Sequence, residues 1–149
     1  MRIILALLLL LSLTNRSLAQ STPEEITNKF FAIYKQGNSD KAVDYLFANT
    51  PYAKDIEEGI DDVKRQLKKQ YELIGTYYGA DLLLTKTVGP NVKMYTYLVR
   101  HSKQPLTFNI MFYKPNDRWQ MQSFKYHNNT SDELEEASKA YRMKENYDR

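Results

Sequence analysis

Apolar residues recur every three or four positions through the first half of the chain and every second position through most of the rest. The sequence therefore predicts helices followed by strands. The first helix spans Pro23 to about Gln36, with Ile26, Phe30, Ile33 and Tyr34 at helical spacing and Phe31 widening the stripe. Thr22 is placed to cap it, Pro23 suits its first turn, Glu24 and Glu25 favour the positive end of the dipole, and Gly37-Asn38 stops it. A short helix follows from Ser39-Asp40 through Ala42, Val43, Leu46 and Phe47, ending near Asn49-Thr50-Pro51. A longer one runs from about Tyr52 to Ile74, with Ile56, Ile60, Val63, Leu67, Tyr71 and Ile74 on one face. Acids lie toward its front and Lys64, Arg65, Lys68 and Lys69 toward its back, a polarity that suits the dipole and allows i,i+4 pairs. Gly75 is placed as a left-handed C-terminal residue.

From Tyr77 the period becomes two. Strands are predicted over Tyr77–Val88, Val92–His101, Leu106–Lys114 and Arg118–His127, separated by Gly89-Pro90-Asn91, Ser102-Lys103-Gln104-Pro105 and Pro115-Asn116-Asp117. Connections this short allow only an antiparallel meander. In the third strand Leu106, Phe108, Ile110 and Phe112 face one way and Thr107, Asn109, Met111 and Tyr113 the other. A four-residue turn, Lys114 to Asp117, then sets Trp119 and Met121 beside Phe112 and Ile110. The second strand has two possible core faces: Val92, Met94, Thr96 and Leu98, or Tyr95, Tyr97 and Val99. Beyond Asn128 a charged tail of residues 128–149 is predicted as a weakly docked helix, with Thr130 and Glu133 at capping-box spacing and a thin stripe of Leu134, Ala137 and Tyr141. The fold class is α+β: N-terminal helices packed on a curved four-stranded antiparallel sheet.

Charge and composition change this picture at the N-terminus. Met1-Arg2, the apolar run Ile3 to Leu13 and the small-x-small site Ser17-Leu18-Ala19 read as a secretory signal peptide over residues 1–19, too short to span a membrane. Its removal leaves residues 20–149, with 20–127 as one domain and no integral membrane segment. It also removes Arg2 and Arg16 from the 21 basic residues, against 18 acids, so the mature net charge is about +1 and a nucleic-acid partner loses its electrostatic basis. With no cysteine there are no disulfides, thiolate metal sites or cysteine nucleophiles. An exported chain without disulfides points to a bacterial periplasmic or secreted protein.

The order of elements, together with Tyr97-Leu98-Val99-Arg100, Gln104-Pro105-Leu106-Thr107-Phe108 and Phe112-Tyr113-Lys114-Pro115-Asn116-Asp117-Arg118-Trp119, resembles the NTF2-like (SnoaL-like, cystatin-like) superfamily. It is similar in particular to secreted bacterial members without assigned activity. The resemblance covers about Glu24 to His127 and brings no catalytic signature. It departs at Asn49-Thr50-Pro51, which leaves room only for a turn where many members carry a strand or hairpin, and in the extra charged tail. The resemblance implies a pocket between the sheet and the helices and often a homodimer through the sheet. Such folds host unrelated functions, so the site must decide.

Candidate chemistry is sparse. In a simple meander the second and fourth strands run parallel, which sets His101 and His127 at one end of the sheet, about 10 Å apart, as exposed strand-end residues without a third metal ligand. An acid-base site needs a carboxyl in an apolar pocket. The candidates are Asp81, opening the first strand, and Asp44 beside Tyr45, with a tyrosine as donor; these would serve an isomerase- or hydratase-like enzyme. No phosphate loop, nucleophile elbow or nucleotide fingerprint is present, and no cofactor is called for.

The 12 tyrosines all lie in the mature part. Tyr71, Tyr78, Tyr95, Tyr97 and Tyr113, with Trp119 as a wall and Arg100 as a carboxylate fork sharing the parity of Leu98, are the candidate ligand-binding residues. Some of these tyrosines belong on the sheet face away from the helices, where an aromatic patch would take a partner. The functions expected are a non-catalytic binding module, for a small apolar or amphipathic ligand in the cone or a protein on the sheet face, or a purely structural dimeric envelope protein.

Overall fold

The structure, a computed structural model, describes residues 21–147. The expected signal peptide falls on residues 1–19, outside them. Helices come first: α1 (Pro23–Tyr34), α2 (Ser39–Phe47), a 3-10 turn (Ala53–Ile56) and α3 (Glu57–Ile74). Four strands follow, β1 (Tyr77–Val88), β2 (Val92–His101), β3 (Leu106–Tyr113) and β4 (Gln120–His127), and then α4 (Thr130–Tyr147). The strands pair in the order β1-β2-β3-β4, all antiparallel, so the sheet is open and β1 and β4 are its edges.

Local chemistry accounts for the start of α1. Thr22 Oγ1 accepts from the Glu25 amide at 3.2 Å while the Glu25 carboxylate accepts from the Thr22 amide at 2.8 Å, a reciprocal capping box. Thr22→Ala is expected to lower stability by about 1 kcal/mol, read as a shift in the urea midpoint with an unchanged slope. The equivalent box expected at Thr130 does not form. Thr130 is the first residue of α4, its hydroxyl lies 3.3 Å from that of Thr107, and Glu133 reaches His127 at 3.5 Å.

The core lies between the helices and one face of the sheet. Ile26, Phe30 and Tyr34 of α1, Val43 and Leu46 of α2, and Leu67 and Ile74 of α3 are buried against Val99, Leu106, Phe108, Ile110 and Phe112. Ile56 does not join the α3 face; it ends the 3-10 turn and is exposed. The ion pairs differ from the expected i,i+4 pattern. Lys64 meets Asp61 three residues back at 3.1 Å and crosses to Asp44 of α2 at 2.5 Å, while Lys68 meets Asp40 at 3.7 Å. These charges clip α3 to α2.

β2 presents Tyr95, Tyr97, Val99 and His101 to the helices, which settles its face. Arg100, on the opposite parity, therefore lies on the outer face. The β3–β4 register slides from the expected one. Met121 pairs with Phe112 rather than Ile110, and a shift between Met111 and Phe112 leaves Gln122 unpaired and sets Phe124 opposite Ile110. The cause is spacing: Met121 and Phe124 are three residues apart, and both can face the core only if the strand absorbs one residue in a bulge. Trp119 lies in the connecting loop.

At the end of α3, Gly75 has φ +86° and ψ −159°, a positive-φ extended conformation rather than the left-handed helical cap expected. It turns the chain into β1, where the Thr76 amide donates to Ser102 Oγ at 3.1 Å and the Ser102 amide donates back to the Thr76 carbonyl at 2.9 Å.

Candidate functional site

Polar partners on α1 select the inward face of β2. The Tyr95 hydroxyl donates to the Glu24 carboxylate, the Tyr97 hydroxyl to Thr27 Oγ1 at 3.2 Å, and the Tyr34 hydroxyl lies 3.3 Å from His101 Nε2. Glu24 is held below the usual 4.5, first by the Tyr95 bond and further by Lys93 nearby. Burial pushes the phenols of Tyr34, Tyr95 and Tyr97 up, so all three are neutral donors over the physiological range. Around this ladder the rings of Phe30, Phe31, Tyr34, Phe108, Phe124 and Tyr126 meet with centroids 5.1–6.2 Å apart. The helix–sheet space is a packed aromatic core at this point.

His101 is buried, not exposed, and burial lowers its pKa from 6.5. His127 lies opposite Thr107, on the other face of the sheet, so the two imidazoles do not converge. No group of three metal-ligating side chains occurs among the described residues. The buried imidazole gives a pH dependence. Above about 6.5 both folded and unfolded chains hold His101 neutral; below it the unfolded chain takes a proton that the folded chain resists. Stability is expected to fall as pH drops from about 7 toward 5, and His101→Gln should flatten that part of the curve of urea midpoint against pH. Glu24 adds a further loss at lower pH, as its depressed folded pKa is crossed.

The residues predicted as one ligand site are distributed over several places. Tyr95 and Tyr97 are core residues bonded to α1, and Tyr71 packs edge-on to Tyr34 and His101 with centroids 5.3 and 5.6 Å away. Tyr78 and Tyr113 are exposed, and Tyr113, opposite Val92, lies on the outer face with Met94, Thr96, Leu98, Asn109 and Met111, so a lone tyrosine rather than a cluster stands there; Thr96 is bonded to Asn109 at 2.6 Å. Arg100 lies across Gly79, where an added Cβ would come within 2.7 Å of its guanidinium, and Arg100 Nε donates to Asp81 at 2.6 Å. Asp81 and Asp44 are thus surface carboxylates paired with Arg100 and Lys64, and neither sits in an apolar pocket.

Three surface features remain. One groove, of about 630 Å³, runs between Ile26, Asn49-Thr50-Pro51 and Trp119, whose ring is flanked by the ammonium groups of Lys93 and Lys114 at 5.5 and 5.4 Å. A second, of about 670 Å³, lies between α3 and β4 and has Val63, Leu106, Phe124 and Tyr126 below Gln66, Lys69, Gln70 and His127. The third is the β1 edge, which sequence reasoning did not single out. From Asp81 to Val88 every residue is exposed, with Leu82 at 53%, Leu83 at 56%, Leu84 at 43% and Val88 at 75%. Two signals pointed there: the first strand of a meander is an edge by topology, and the run Leu82-Leu83-Leu84 interrupts the alternation.

No family model, curated protein or solved structure matches this chain. Among the described residues no helix is long and apolar enough to cross a membrane.

Proposed function

We propose that this protein is an exported, non-catalytic interaction module of NTF2-like type, which binds an extended strand of another chain along the β1 edge. One observation carries the reading: an edge strand of 12 residues whose Leu82, Leu83, Leu84 and Val88 face water beside an otherwise packed core. A free edge offers a row of unpaired amide and carbonyl groups, and natural sheets ordinarily blunt such an edge with charge, proline or a covering element. Strand addition satisfies those groups and covers the leucines together. The leader-like start of the sequence supports export. The isomerase-like alternative gains no site from Asp81 or Asp44, both paired at the surface.

The test is selection of short displayed peptides on the mature chain. Extended peptides of alternating apolar character should be recovered, and their binding should be abolished by Leu82→Lys/Leu84→Lys, a change at exposed positions that leaves the fold intact. Recovery of peptides indifferent to that double variant would remove the reading.

A second reading, a small amphipathic ligand in the α3–β4 cleft, is favoured by its apolar floor of Val63, Leu106 and Tyr126. Native mass spectrometry of the protein from its own host should then show a retained mass that Val63→Lys, at a partly buried position of the cleft, removes.

A further inference from the structure

We infer that the strand received by the β1 edge is β1 of a second copy, in one register, with a two-fold axis normal to the sheet between Leu83 and Leu84. This rests on the reading of β1 as a docking edge and names its partner. β1 is irregular in its pairing. Against β2, Asp81 pairs with Leu98 and Leu82 with Tyr97, but Leu84 pairs with Thr96, so Leu83 is an extra residue. The bulge changes which parity faces outward. Before it, Gly79 and Asp81 share the outer face with Arg100 and Leu98, and Ala80 and Leu82 face the helix side with Val99 and Tyr97. After it, Leu84, Lys86 and Val88 are outward and Thr85 and Thr87 are on the helix side.

Residues directly opposite in an antiparallel pair must project from the same face. In a strand without a bulge, two-fold self-pairing joins residues of like parity. Here, joining the first half of β1 to the second half of its copy joins unlike parity, and registers of the other kind would set inward Leu82 against outward Leu84. Among the allowed registers, the one centred between Leu83 and Leu84 sets Asp81 opposite Lys86, Leu82 opposite Thr85, Ala80 opposite Thr87 and Gly79 opposite Val88 of the second copy. Both members of each pair lie on one face. The leucines of the two copies meet at the centre, flanked on both sides by an Asp81–Lys86 pair.

Neighbouring registers lose this match. Sliding by two residues one way sets Asp81 opposite Leu84, and the other way sets it opposite Val88 and Lys86 opposite Leu83. The charges also have capacity for the contact. Lys86 makes no ion pair among the described residues, and Asp81 carries only Arg100. The helices do not obstruct the approach, because Leu82, Thr85 and Thr87 on the helix side of β1 are exposed. The product is a continuous eight-stranded sheet with both helical layers on one side, and the free β1 edges are removed.

The test is sedimentation of the mature chain up to roughly 100 µM, since interfaces of this kind span micromolar to tighter affinities. The wild type should be dimeric. Lys86→Asp opposes Asp81 to an aspartate and Asp81→Lys opposes Lys86 to a lysine, so each variant alone should dissociate at least about tenfold more readily. An equimolar mixture of the two variants restores both opposite-charge pairs and should recover the dimer, an effect that added salt weakens. A wild type that stays monomeric, or a dimer for which mixing restores nothing, overturns the inference. Peptide selection keeps the two failures apart: a monomer that still captures peptides at Leu82 and Leu84 loses only the self-pairing, and one that captures none loses the docking edge as well.

Discussion

Phe108→Ala is expected to cost about 3–5 kcal/mol, the range for truncating a fully buried phenylalanine. The side chain has no exposed surface and sits where α1 meets the sheet, in contact with the rings of Phe30, Phe31, Tyr34, Phe124 and Tyr126. Those rings hang from two elements, α1 and β4, so the hole cannot close by moving one of them. Domains of this size are stable by about 5–15 kcal/mol, and the variant should therefore lose a large part of the total and melt roughly 10–20 °C lower. Phe108→Leu retains most of the volume and should lose much less. The check is a pair of urea and thermal unfolding curves. A truncation costing less than about 1 kcal/mol would mean that the aromatic cluster is not the structural centre.

Gly75→Ala is the second large effect, and its origin is backbone rather than core. At φ +86°, ψ −159° the residue occupies a region that side chains avoid, at a cost of about 1–3 kcal/mol. A Cβ there would also lie 2.2 Å from Ser102 Oγ, the group that accepts the Thr76 amide. The combined loss should be about 2–4 kcal/mol. Ser102→Ala alone should cost about 1 kcal/mol by removing that hydrogen bond. In the double variant the collision is gone but the backbone strain remains, so its loss should fall below the sum of the two single losses. The double-mutant cycle measured by denaturation separates the two causes. Additive losses would show that Ser102 yields without cost.

Much of the architecture is legible in the sequence because patterning and turn chemistry agree there. Gly89-Pro90-Asn91 between two alternating runs set the first hairpin, and the observed strands Tyr77–Val88 and Val92–His101 have the expected bounds. What was not legible depends on tertiary partners. Val92, Met94, Thr96 and Leu98 are as apolar as the opposite set; the choice is made by Glu24, Thr27 and Tyr34 of α1, which give Tyr95, Tyr97 and His101 polar partners only on the helix side. Both strand bulges were hidden for a similar reason: Leu82-Leu83-Leu84 has no phase of its own, and Met121 and Phe124 obey burial rather than period two.

The candidate site was the least legible part. Tyrosine suits a half-wet pocket, but it equally suits a core that supplies acceptors for its hydroxyl. Tyr95 and Tyr97 took the second role, while Tyr78 and Tyr113 stand apart at the surface. Arg100 shares the parity of Leu98 as expected, but that parity faces away from the helices, and its guanidinium serves Asp81 across Gly79. The edge of β1 is a property of strand order and of what the helices leave uncovered, and those become visible only when the elements are assembled.

The most direct measurement is amide hydrogen exchange along β1, in dilute protein and again at high concentration or with a selected peptide bound. Of the amides between Gly79 and Val88, those that point away from β2 should exchange quickly in the first condition and become protected in the second, while β2 and β3 stay protected throughout. Protection gained instead at Gln66, Gln70 and Tyr126, with β1 unchanged, would contradict the docking edge and move the binding site to the cleft between α3 and β4.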